Sequence, residues 1–119
     1  MEQRPLYTFV NRTKSATLAT KGRLADTWFA RMRGLLGTNK IEQGEGLFLM
    51  PCNSIHMFWM KYAIDAIFVD RHGKVVAVVS NIKPWQMSAV YWQAKNCLEL
   101  PPGTICDTGT DVGDQLEWQ

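Results

Sequence analysis

Residues Ser54–Asp70 read SIHMFWMKYAIDAIFVD, the longest nearly uninterrupted apolar run of the chain. Two strands account for it. From Ser54 to Lys61, Ile55, Met57 and Trp59 alternate with His56, Phe58 and Met60. From Ile64 to Asp70, Ile64, Ala66 and Phe68 alternate with Asp65, Ile67 and Val69. Both faces of each are largely apolar, the pattern of strands covered on both sides. A tight connection at Tyr62-Ala63 predicts a hairpin with Met60 opposite Asp65 and Trp59 opposite Ala66, which gathers His56, Met60 and Asp65 on one face.

Strand and turn signals continue on either side. Leu6–Val10 is rich in strand formers. Ala16–Thr20 and Arg23–Ala25 read as a short hairpin about Lys21-Gly22. Leu47–Met50 is a short buried strand stopped by Pro51, and Asp70-Arg71-His72-Gly73 is a turn into the β-branched strand Lys74–Ser80. Asn81–Ser88 is a loop, Cys97–Leu100 a strand, Thr104–Thr110 room for one helical turn, and Gln115–Trp118 a last strand. The predicted long helix follows Asp26 or Thr27. Trp28, Phe29, Met32, Leu35 and Leu36 form one apolar stripe bordered by Arg31 and Arg33, and Gly37 is its stop. Many short strands and one helix predict a mainly β domain, a small barrel or sandwich capped by that helix, occupying residues 1–119 as one unit.

The composition narrows the functional classes. A net charge of +2 with 46% hydrophobic residues over 119 positions describes a folded domain and argues against nucleic acid. No apolar run reaches the ~18 residues of a membrane span. Three cysteines, Cys52, Cys97 and Cys106, form no C-x-x-C pair, which fits reduced thiols better than a disulfide framework or zinc site. With no signal-like start in MEQRPLYTFV, a cytoplasmic monomer is the expectation, and an envelope location follows only if an export signal has been removed.

The candidate cleft gathers Arg33, His56, Trp59, Lys61, Asp65, Trp85 and Glu99. Asp65 and Glu99 lie mid-strand between apolar neighbours. They either share a pocket as an acid–base pair or act as anchors hydrogen-bonded to Arg, Lys or backbone N–H groups. Arg33, then Lys61 and backbone N–H groups, are the expected donors to Asp65. Trp59 and Trp85 are expected at the cleft rim. No nucleotide loop, nucleophile elbow or tight metal motif occurs, so no cofactor is expected. The reading is a ligand- or partner-binding module without catalytic activity, its partner a small molecule or protein. The alternatives are a small hydrolase using Asp65 or His56, and copper handling through His56 and Met60.

Ordered fragments of the sequence also carry a resemblance. They are Arg33-Gly34-Leu35-Leu36-Gly37, Gly46-Leu47-Phe48, Ser54-Ile55-His56, Met60-Lys61, Ile64-Asp65 and Phe68-Val69-Asp70. Pro84-Trp85, Leu98-Glu99-Leu100-Pro101 with Gly103, and Gly113-Asp114 with Leu116 complete them. Together, from about Leu18 to the end, the chain resembles the family catalogued as domain of unknown function 192. That resemblance implies a small, mainly β single domain of bacteria and archaea, with no established activity, catalytic residue or cofactor.

Overall fold

The computed structural model describes residues 5–25, 40–57 and 60–119. It is mainly β: β1 (Tyr7–Asn11), β2 (Ala16–Ala25), β3 (Glu45–Leu49), β4 (Ile64–Val69), β5 (Val75–Ile82), β6 (Asn96–Leu100) and β7 (Leu116–Trp118). One short helix, α1 (Thr104–Thr108), lies between β6 and β7. All seven strands form one sheet in the order β5-β4-β6-β3-β2-β1-β7. Neighbours are antiparallel except β2 and β3, which run parallel. The helix predicted over Trp28–Leu36, with its stripe and Arg33, lies outside the described residues, as does Trp59.

The sheet curls into a half-barrel because its outer strands meet at one end. Val75 N–H donates to Asp114 O at 2.8 Å, Gly113 N–H to Val75 O at 2.9 Å and Leu116 N–H to Gly73 O at 2.9 Å. Gly73 makes that approach possible. It has φ 82°, and a Cβ there would sit 2.7 Å from Leu116 O. The turn it belongs to is the one expected, with Asp70 Oδ1 accepting from the backbone N–H groups of His72 and Lys74.

Apolar side chains cover both faces of the middle strands. Leu47, Leu49, Ala66, Phe68 and Cys97 look one way, packed with Ile55, Met57, Ile64 and Ile82. Phe48, Ile67, Val69, Leu98 and Leu100 look the other way, packed with Phe9, Leu18, Ile105 and Leu116. Every residue of β4 is buried, which is why its sequence shows little apolar–polar alternation. The second core holds an aromatic cluster, with Phe48 4.7 Å from Trp118 and 5.1 Å from Phe9 between ring centres.

Two local expectations are corrected. Lys21-Gly22 does not turn the chain, because β2 runs through it as one strand. Tyr7 pairs with Gly22 and Phe9 with Ala19, so β2 holds an extra residue there, a bulge that bends the strand instead of reversing it. Gly22 is required by packing, since a Cβ would lie 2.4 Å from the Phe9 ring. Nor does Ser54–Lys61 form a hairpin with β4. The neighbours of β4 are β5 and β6, and Asp65 stands opposite Leu100, not Met60. Residues 53–57 pair instead with 85–91. Met57 N–H donates to Gln86 O at 2.7 Å, Trp85 N–H to Met57 O, Ser88 N–H to Ile55 O and Tyr91 N–H to Asn53 O, the last three at 2.8 Å.

Candidate functional site

Asp65 sits mid-strand in β4 and is fully buried. Its two oxygens accept three backbone N–H groups: Asn81 at 2.8 Å, Gly103 at 3.1 Å and Ile105 at 2.8 Å. Each donor exists because of local backbone shape. Opposite Asp65, β5 carries a bulge between Ile82 and Val79, with Asn81 in the left-handed region at φ 53°. Gly103, φ 97°, begins α1 without a side-chain cap of its own. Asp65 supplies the missing acceptor for the first turn of that helix. It thus ties β4, the β5 bulge and α1 together.

Glu99 projects from the other face. Asp65 pairs with Leu100 and Ala66 with Glu99, so the period of two puts the carboxyls on opposite sides of the sheet. They share no pocket. Glu99 is 8% exposed, and among the described residues no group donates a hydrogen bond to its carboxyl. Burial, reinforced by the nearby Cys52, pushes that carboxyl up to about 8, so at neutral pH it is mostly a neutral acid. Cys97 lies two residues earlier on the same face, wholly buried, in the core cluster against which Cys52 packs. Cys52 is half-buried, and its Sγ donates to Ser54 O at 3.1 Å.

His56 and Trp85 come together on the ribbon formed by 53–57 and 85–91. His56 is exposed and bridges to Met87. Ile55 and Met57 pin the ribbon to the core that contains Cys97, so these two candidates lie on the Glu99 side of the sheet. Gln86 N–H donates to Lys83 O at 3.1 Å, closing a turn with Pro84 and Trp85 at its centre. Trp85 has φ 70°, the left-handed position that a turn of this kind normally gives to glycine. Trp85 is 58% exposed, Met87 66%, Val90 46% and Trp92 84%. Lys61 is exposed and Met60 half-buried. No three His, Cys, Asp or Glu side chains among the described residues cluster so as to hold a metal ion, and no described helix is long and apolar enough to cross a membrane.

The model of the DUF192 family, an uncharacterized ACR, matches residues 9–118. The chain belongs to the DUF192 family. It is 33% identical to a UPF0127 protein of Thermococcus sibiricus over 115 residues, 92% of this chain and 73% of that one. A protein of unknown function from Novosphingobium aromaticivorans, solved by crystallography, superposes with a TM-score of 0.77 at 22% identity, covering 94% of this chain and 83% of that one. A second crystal structure, from Sinorhizobium meliloti, gives 0.79 at 20% identity, covering 99% and 98%. At those identities the two structures speak for the fold alone.

The DUF192 chain holds a further polar network that the sequence reading did not place among the candidate site residues. Asn11, buried in β1, donates to Thr110 Oγ1 at 3.0 Å and to Asp114 Oδ2 at 2.9 Å, and Lys14 Nζ reaches both Asp114 oxygens at 2.9 Å. Burial pushes the Asp114 carboxyl up, but the Asn11 amide and the Lys14 ammonium outweigh it and hold the group below its usual range. This network locks the β1–β2 turn to the segment before β7. Met87 and Trp92 were also missed, because exposure in a loop leaves no periodic trace.

Proposed function

We propose that this DUF192 domain is a non-catalytic binding module whose docking surface for a protein partner is the ribbon of residues 53–57 and 85–92. The observation that carries this reading is the exposure of Trp85, Met87 and Trp92 on backbone that is itself held in place. Large aromatics with a polar edge contribute most where they anchor interfaces. A tryptophan in the left-handed region is disfavoured by roughly 1–3 kcal/mol, and Trp85 occupies a turn position that glycine fills without strain. Lys83 and Lys95, both exposed, bracket the patch, and no acidic residue falls between them. That charge pattern suits a partner with an apolar pocket and an acidic rim. For Asp65, three backbone donors support anchoring over hydrolysis.

Trp85→Gly combined with Trp92→Ser tests this. Both changes remove aromatic anchors, and the first also relieves backbone strain. Affinity capture from the source organism should lose the specific proteins retained by the wild type, while the thermal melt stays within a few degrees. Equal retention by both proteins, or wild-type binding only to anionic vesicles, overturns the reading.

A further inference from the structure

We infer that Cys52 and Cys97 form an oxidisable thiol pair, a modification site that a peroxide converts to an intramolecular disulfide. The two residues are far apart in sequence, but backbone pairing brings them together. Cys52 N–H donates to Lys95 O at 2.8 Å, which lays residue 52 beside the start of β6, two positions before Cys97. The Cys52 side chain packs against the core cluster that contains Cys97, close enough for the two thiols to influence each other, and neither is in a disulfide. The environments of the two sulfurs differ. Cys52 is half-buried and reachable from solvent, whereas Cys97 is enclosed with Leu49, Ala66 and Phe68. Burial first, then the interaction in which the Cys97 thiol is the donor toward Cys52 and the nearby Cys52 and Glu99 charges, push the Cys97 thiol well above its ordinary range. Cys97 is therefore the poorer first nucleophile, and Cys52 is the sulfur an oxidant meets.

The chemistry proceeds in two displacements. Cys52 sulfur attacks hydrogen peroxide, the O–O bond breaks, one oxygen stays as a sulfenic acid, and the other leaves as water with the thiol proton. Cys97 sulfur then attacks the Cys52 sulfur. The S–O bond breaks, and the hydroxyl leaves as a second water with the Cys97 proton. Two thiols lose two electrons in all, and the peroxide takes them. The second step needs no long-range motion, since backbone pairing and shared packing already hold the resolving thiol beside Cys52.

The test is peroxide treatment of the folded chain, followed by unfolding, alkylation and intact-mass analysis. The titratable thiols should fall from three to one, with a loss of two hydrogens and a digest peptide linking Cys52 to Cys97. Cys106, exposed on α1, should remain alkylatable, and Cys106→Ser should behave as wild type. Cys52→Ser and Cys97→Ala should each abolish the link. Cys97→Ala guards against misfolding from a buried hydroxyl at that position. The inference is overturned if Cys52 accumulates as sulfinic acid while Cys97 stays a free thiol, if crosslinks run through Cys106, or if all three thiols survive.

Discussion

Replacing Glu99 by Gln removes a proton-binding group from the core while keeping its size and shape. In the folded chain the carboxyl is raised from an ordinary 4.5 to about 8. Between those two pH values the folded state keeps a proton that the unfolded state releases. Stability attributable to this group is therefore full below the unfolded value and falls as pH rises toward the folded one. A difference of about 3.5 units, at about 1.4 kcal/mol each, puts the loss at roughly 5 kcal/mol by pH 9 as an upper bound. Water reaching the slightly exposed carboxyl would reduce it. Urea unfolding at pH 5, 7 and 9, under reducing conditions, reads this directly. Wild type and Glu99→Gln should be similar at pH 5, and the variant should become increasingly the more stable toward pH 9. Parallel pH profiles for the two proteins would refute the assignment of a neutral, buried acid.

Two further outcomes follow from the fold. Asp65→Ala should destabilise by roughly 2–4 kcal/mol, since a stranded buried donor costs about 1–3 kcal/mol. Of the three N–H groups that lose their acceptor, that of Ile105 is buried, whereas those of Asn81 and Gly103 are only part-buried and can turn to water. Asp65→Asn should cost less because one acceptor remains, and hydrogen exchange at Asn81, Gly103 and Ile105 should report the loss locally. Gly73→Ala should cost on the order of 1–3 kcal/mol from its left-handed backbone and should open the contact between residues 73–75 and 113–116, detectable as faster amide exchange at Leu116. A melt unchanged by that substitution would count against the half-barrel closure.

How much of this was legible in the sequence depended on the range of each interaction. The run Ile64–Val69 announced a doubly covered strand because both of its faces read as apolar. The Asp70–Gly73 turn and the strand after it depended on neighbours a few residues away, and they too were readable. The pairing of Ser54–Met57 was not. Alternation gives the faces of a strand but not its partner, and that partner lies some thirty residues downstream at Trp85–Tyr91. The same limit hid the relation of Asp65 to Glu99. Each looked like a buried carboxyl in a strand, and only the register, Asp65 against Leu100, sends them to opposite faces. Lys21-Gly22 carried a turn signal that the ring of Phe9, pressed against Gly22, puts to another use. The Cys52–Cys97 contact depends on that same unseen chain path, so spacing offered no hint of it. The family resemblance succeeded where these failed because it compares the order of whole fragments rather than the partners of any one.

The pairing of β1 with β7 has a mechanical consequence. The two strands are antiparallel, with Phe9 opposite Trp118 and Asn11 opposite Leu116, and Thr8 N–H donates to Gln119 O at 2.9 Å. Residue 7 and residue 119 therefore leave the sheet side by side. A pull applied through them loads this ladder one rung after another, as a zipper opens, rather than shearing all its hydrogen bonds at once. Each rung resists alone, with a net stability of only about 1 kcal/mol. If force ever reaches the domain through these two ends, β7 peels away first, taking Trp118 out of the aromatic cluster and exposing Phe9 and Phe48 while the central strands still hold.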